Sequence, residues 1–192
     1  MYIVMDGFDL GIGILFPFIH DEDDRDIMVN TVAPVWDGNE TWLVLGGASL
    51  LGAFPLAYAI VLEALTIPLL IMLLALIFRG VAFEFRFKSG AEAKPFWDKA
   101  FMFGSITATF SQGVVLGAFI SGISVSEQQF SGGSFDWLTP FSLFCGFGLM
   151  LAYALLGATW LVKKCQGELK TTMQQLGRAL TLCLLMTIGL VS

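Results

Sequence analysis

The stretch Leu69-Leu70-Ile71-Met72-Leu73-Leu74-Ala75-Leu76-Ile77-Phe78-Arg79-Gly80-Val81-Ala82-Phe83 is apolar up to Arg79, and charges return in Glu84-Phe85-Arg86-Phe87-Lys88. A membrane helix needs about 20 mostly apolar residues to cross a hydrocarbon core roughly 30 Å thick. The run from about Leu56 to Phe83 exceeds that length. Read the same way, Met1 to about Ile19, about Asn39 to Phe54, about Ala100 to Ile123 and about Thr139 to Val162 are further spans, with Pro55 turning the second into the third. A sixth run, Ala179 to Ser192, stops at about 14 residues, too short to span. The expected fold is all-α: a polytopic integral membrane helical bundle of about five complete transmembrane helices plus a truncated sixth. It forms a single transmembrane domain over residues 1–192. From the abrupt start and early stop, a fragment of a longer subunit is expected.

Composition agrees. Hydrophobic residues make up 56% of the 192, glycine adds 21 residues, and mean hydropathy is +0.79. Charged residues are 14%, against about 25% in soluble domains. This excludes an ordinary soluble enzyme and a disordered tail. Lys and Arg number 10 against 16 Asp and Glu, which excludes a nucleic-acid partner, since a phosphate-binding surface needs a basic excess. Cys145, Cys165 and Cys183 form no C-x-x-C pair and read as apolar packing residues. No Lys or Arg precedes Arg25, so no basic n-region of a signal peptide is present in the chain.

The basic residues alternate between loops. Arg25 lies in the first connection, Arg86, Lys88, Lys94 and Lys99 follow the third span, and Lys163, Lys164, Lys170 and Arg178 follow the fifth. The turn at Pro55 and the loop Ser124 to Leu138 have none. The positive-inside rule puts the basic loops in the cytoplasm, and parity puts the acidic loop His20 to Asp26 there too. Ser131-Gly132-Gly133-Ser134 is then an outer turn, and Trp36, Trp97 and Trp137 are belt aromatics. Gly7-x-x-x-Gly11 and Gly113-x-x-x-Gly117 have the spacing of close helix contacts, within the chain or with a partner.

An ionisable group at the centre of a membrane helix costs about 2.5 to 3.5 kcal/mol on insertion scales, so each one asks for a partner, a cavity or a task. Asp6 and Asp9, three apart, share a helix face. In Pro34-Val35-Trp36-Asp37-Gly38-Asn39-Glu40, Asp37 or Asn39 can cap the helix that follows. Glu63 reads as interfacial. Glu84 and Lys88 have i,i+4 spacing in the favourable order, while Arg79 and Arg86 can snorkel to headgroups. An anchored helix end and a proton-uptake mouth need the same residues here. No phosphate loop or dinucleotide fingerprint is present, and the single His20 reads as exposed and cannot furnish a zinc or bis-histidine haem site. No catalytic residue and no metal site is expected in this chain.

Several blocks together carry a resemblance: Met5-Asp6-Gly7-Phe8-Asp9-Leu10-Gly11, Ala33-Pro34-Val35-Trp36-Asp37-Gly38-Asn39-Glu40, Leu76-Ile77-Phe78-Arg79-Gly80-Val81-Ala82-Phe83-Glu84-Phe85-Arg86, Gln112-Gly113-Val114-Val115-Leu116-Gly117 and Asp136-Trp137-Leu138-Thr139-Pro140-Phe141. With them the chain resembles the N-terminal half of subunit II of the cytochrome bd-type quinol oxidases, the cyanide-insensitive branch in particular. The resemblance implies a multi-pass subunit of the bacterial cytoplasmic membrane, in a complex that oxidises quinol and reduces dioxygen to water with proton uptake from the cytoplasm. It implies a heterodimer with the haem-bearing subunit I, which holds haem b and haem d, with small accessory subunits and membrane lipid as further partners. Subunit II would hold at most a structural quinone. Carried over by position, Asp37, Glu84, Lys88 and Asp9 fall on a proton pathway and Trp42 at the opening of an oxygen path. The residues alone also admit a helix cap for Asp37, a belt tryptophan for Trp42, and a cation-coupled transporter or channel subunit binding at Asp6, Asp9 and Asp37.

Overall fold

In the computed structural model, residues 2–90 and 92–191 are described. The N-terminal span consists of α1 (Tyr2–Met5) and α2 (Gly7–Leu15), followed by a 3-10 turn at Phe16–Phe18 where Pro17 ends the regular ladder. The junction is slight. Asp6 N–H donates to the Tyr2 carbonyl at 2.8 Å, and the Asp6 carbonyl accepts from Leu10 at 3.0 Å, so the hydrogen bonding runs through it.

The connection expected as an acidic loop is largely helix. Asp21 accepts from the Asp23 and Asp24 amides at 2.9 and 3.1 Å and caps α3 (Glu22–Val32). The acidic first turn, Glu22 to Asp24, complements the helix dipole, and the far end buries Met28, Val29 and Val32.

The second span is α4 (Trp36–Ala53). The third, expected as one helix, is two: α5 (Pro55–Ala64) and α6 (Thr66–Lys88), broken at Leu65. Pro68 accounts for the break, because it has no N–H to offer the Ala64 carbonyl four residues back and its ring crowds that carbonyl.

Helix α7 (Lys94–Ser121) leads to a hairpin of β1 (Val125–Ser126) and β2 (Gln129–Phe130), antiparallel with Val125 opposite Phe130. Glu127 and Gln128 both have positive φ, the mirror-image turn that suits a two-residue hairpin. Helix α8 (Pro140–Lys164) opens on a capping box of Thr139 and Ser142. Helix α9 (Gly167–Val191) corrects the truncated sixth span: it begins well before Ala179 and has 25 residues. Its polar first turns, with Lys170 and Arg178, fall outside the apolar run but continue the same helix.

Four helices, α6, α7, α8 and α9, are long and apolar enough to cross a membrane. With α4 they make the expected all-helical membrane bundle. Its core joins α2, α3, α6, α7 and α8 through Leu10, Met28, Met72, Phe101, Tyr153 and Leu161. The glycine spacings serve packing inside this chain. A Cβ on Gly11 would lie 1.9 Å from the Tyr153 carbonyl oxygen, and one on Gly113 would lie 2.6 Å from the Cys145 carbonyl oxygen. Helix α8 thus crosses α2 and α7 with backbone nearly on backbone.

Candidate functional site: a buried acid–arginine cluster

Asp6, at the junction of α1 and α2, and Asp9 of α2 are both fully buried. The first turns of α4 bring Asn39 and Glu40 against them. Asn39 Nδ2 donates to Asp9 Oδ2 at 2.8 Å, and Glu40 Oε1 accepts from Arg79 Nη1 of α6, also at 2.8 Å. Arg79 is 0% exposed, and its guanidinium lies 5.3 Å from the centroid of the Phe101 ring. Gly104 of α7 permits this depth, since a side chain there would press on the Arg79 backbone at 3.1 Å.

One guanidinium thus serves three carboxylates, Glu40 by a direct ion pair and Asp6 and Asp9 through its field. Among the described residues Asp9 Oδ1 and Arg79 Nε and Nη2 lack hydrogen-bond partners, and Asp6 has the neutral Tyr2 hydroxyl beside it. On the far side of Asp6, the Tyr2 hydroxyl accepts from Gln112 Nε2 at 2.8 Å, and Tyr153 donates to Gln112 Oε1 at 3.0 Å. The cluster thus continues as a chain of neutral polar groups. These groups rim an apolar cleft of about 330 Å³ lined by Leu43, Leu65, Met72 and Leu149 among others.

A second ionic network ties the helix ends on the basic side. Asp98, at the start of α7, accepts from Arg25 Nη1 at 3.1 Å and from Arg86 Nε. Arg86 Nη2 and Lys94 Nζ each lie 2.7 Å from Asp26. Partial burial pushes the Asp26 carboxyl up, but its contacts with Lys94 and Arg86 outweigh this and hold it below the usual carboxylate range. Arg79 and Arg86 do not snorkel as their place near a helix end suggested, because each finds a carboxylate inside the bundle.

The other expected residues lie apart from the cluster, except Asp9. Asp37 is exposed in the first turn of α4. Neither it nor Asn39 caps that helix: Val35 is the N-cap, and no side chain closes the cap. Glu84 and Lys88 pair at 3.2 Å with both side chains more than half exposed. Trp36 stacks obliquely on Phe83, ring centroids 5.0 Å apart, which sets the start of α4 beside the end of α6. Among the described residues no hydrogen bond or ion pair joins Asp37 to Glu84 or Lys88. Trp42 and His20 are exposed. Among the described residues no group of three His, Cys, Asp or Glu has metal-site geometry.

Sequence reasoning missed Glu40 as the partner of Arg79, Asn39 as the partner of Asp9, and Asp98 altogether. A signal existed for the first, since an arginine inside an apolar run requires a carboxylate at its own depth. Tyr2, Gln112 and Tyr153 meet only in three dimensions.

A bundle of membrane helices with an ionisable cluster sealed among them defines a polytopic membrane protein with an internal polar site. The family described as cytochrome bd terminal oxidase subunit II matches residues 1–192, and the chain belongs to that family. It is 33% identical over 175 residues to the cytochrome bd-I ubiquinol oxidase subunit 2 of Escherichia coli K12, covering 88% of this chain and 46% of that protein. It is 32% identical over 180 residues to the cytochrome bd ubiquinol oxidase subunit 2 of Bacillus subtilis 168, covering 92% and 53%. A protein of Haemophilus influenzae described as a probable cytochrome oxidase subunit 2 is 33% identical over 191 residues, covering 94% and 50%. The chain spans about half the length of the curated relatives it matches.

Proposed function

We propose that this chain acts within subunit II of a bd-type quinol oxidase of the bacterial cytoplasmic membrane, a complex that oxidises quinol and reduces dioxygen to water. In this reading it stabilises the haem-bearing subunit I and carries part of the route by which cytoplasmic protons reach the reaction. The observation that supports the reading best is the pairing of Asp9 with Asn39 and of Glu40 with Arg79 inside the bundle. Protons crossing a low-dielectric layer need ionisable or hydrogen-bonding groups held at depth, and Asn39 and Glu40 lie within one turn of the exposed Asp37 on α4. Glu84 and Lys88, on the neighbouring helix end, give the mouth of the route its exchangeable groups.

The residues do not fit a haem. His20 is exposed, and no imidazole is available inside the bundle, so haem b and haem d are assigned to subunit I, which supplies the redox chemistry. A structural quinone fits better, because the 330 Å³ cleft offers an apolar body and the Tyr2, Gln112 and Tyr153 polar groups at one wall. Dioxygen needs only an apolar passage, for which Trp42 on the outer surface of α4 is the proposed opening.

Asp37→Asn in the full-length complex tests the route. Asp37 caps nothing, so the amide should leave assembly and haem content unchanged while lowering oxygen uptake per haem. Wild-type turnover and wild-type proton uptake in the assembled variant would remove Asp37 from the route.

A further inference from the structure

Asp6 is the one member of the buried cluster that neither the fold nor the route above employs. It is completely buried, and among the described residues the neutral Tyr2 hydroxyl is the donor that faces its carboxylate, with no cation or amide bonded to it. Every element packed around it turns a polar or charged group its way: Tyr2 from α1, Asp9 from α2, Glu40 from α4, Arg79 from α6 and Tyr153 from α8. Gln112 of α7 joins the two tyrosines. The one cation among them is already engaged, since Arg79 Nη1 holds Glu40, and the Asn39 amide occupies one oxygen of Asp9. An ionised Asp6 would be a second or third negative charge around a single guanidinium, buried, with the neutral Tyr2 hydroxyl as its donor. A carboxyl in that position is neutral unless a cation joins it.

We propose that Asp6 is a proton-storage group, carrying a proton in the resting complex and exchanging it with the Asp9 carboxylate one turn along the same helix face. In the exchange an O–H bond on Asp6 breaks as one on Asp9 forms, so the charge around Arg79 does not change. The Tyr2 hydroxyl accepts from Gln112 and keeps its own hydrogen for Asp6, which steadies the deprotonated state while the proton is away. The inference adds a store to the proposed route but does not depend on where the route begins, since it holds whether or not Asp37 takes up the proton.

The test is redox-induced infrared difference spectroscopy of the full-length complex in the carbonyl region of protonated carboxylic acids, in water and in D₂O. The wild type should show an acid band that shifts in D₂O. Asp6→Asn should remove the band, Tyr2→Phe should shift it, and Asp37→Asn should leave its position unchanged. Because an amide resembles the neutral acid, Asp6→Asn should assemble with wild-type haem content, and its oxygen uptake per haem should fall severalfold. Absence of the band in the wild type, its survival in Asp6→Asn, or unchanged uptake in an assembled Asp6→Asn complex would overturn the proposal. If Asp6→Asn does not assemble, Tyr2→Phe decides, and an unmoved band there overturns it equally.

Discussion

Gly11→Ala probes the contact on which the position of the acid cluster depends. The added methyl would meet the Tyr153 carbonyl oxygen at 1.9 Å, its carbonyl carbon at 2.7 Å and the Gly157 nitrogen at 3.0 Å. All three are backbone atoms, so no change of rotamer relieves the clash. Helices α2 and α8 must part until 1.9 Å becomes an ordinary contact of 3.4 Å, a shift of about 1.5 Å in a close-packed interior. The 2.8 Å bond from Asn39 to Asp9 cannot follow that shift without loss. Overpacking costs about 1 to 3 kcal/mol, and rigid backbone puts this site near ~3 kcal/mol. The better helix propensity of alanine returns up to about 1 kcal/mol. The net loss of ~2 kcal/mol corresponds to roughly a 30-fold change in equilibrium constant. Gly80→Ala is the control, because its Cβ would sit 3.7 and 3.8 Å from Trp36 ring atoms, in ordinary contact. Thermal unfolding of both variants of the full-length complex, at one scan rate, should show Gly11→Ala melting well below wild type and Gly80→Ala at or above it. A Gly11→Ala complex as stable as the Gly80→Ala one would refute the crossing.

Asp98→Asn leaves Arg86, whose side chain is 1% exposed, with the more exposed Asp26 as its remaining carboxylate. Breaking a buried pair costs about 3 to 5 kcal/mol, and the surviving contact places this variant near ~3 kcal/mol. A melting shift no larger than that of an exposed-pair variant such as Glu84→Gln would contradict the assignment, since a surface pair contributes about 0 to 1 kcal/mol. Asp26 sets an acid dependence. Its carboxyl is held below the usual range in the folded protein, so its contribution is complete above the ordinary carboxylate value and is lost as pH falls through the depressed one. Acid titration of melting should therefore be shallower for Asp26→Asn than for wild type, and an identical acid limb would exclude the network as its source.

The long apolar runs made the membrane bundle legible, because length and composition alone decide whether a helix can cross a bilayer. Local chemistry within those runs was harder to weigh. Pro68 stood inside the third span, and its effect on the Ala64 carbonyl turned one expected helix into two. The sixth helix was misjudged because a hydropathy reading starts where the apolar residues start, whereas α9 starts at Gly167, whose φ of +67° completes the turn from α8. For the candidate site, Asp9 was legible from its spacing with Asp6. Its partner Asn39 lies 30 residues away on another helix, and no local pattern joins the two. Arg79 was visible but was given the wrong task, since a position nine residues from a helix end suits snorkelling until a carboxylate at equal depth is identified. Asp98 carried no local signal, and only the packing of α3 and α6 against α7 makes it the centre of a network.

Asp9→Asn in the full-length complex, reconstituted into liposomes, bears most directly on whether the buried cluster moves protons or only holds helices together. The amide oxygen can still accept from Asn39, so the geometry is kept while the titratable group is lost. The quantities to measure are oxygen uptake and voltage generation per haem, in preparations of matched haem content and melting temperature. If the cluster carries protons, both should fall together in a complex that is otherwise intact. Wild-type uptake and voltage in that complex would make the cluster a structural brace and remove it from the proton route.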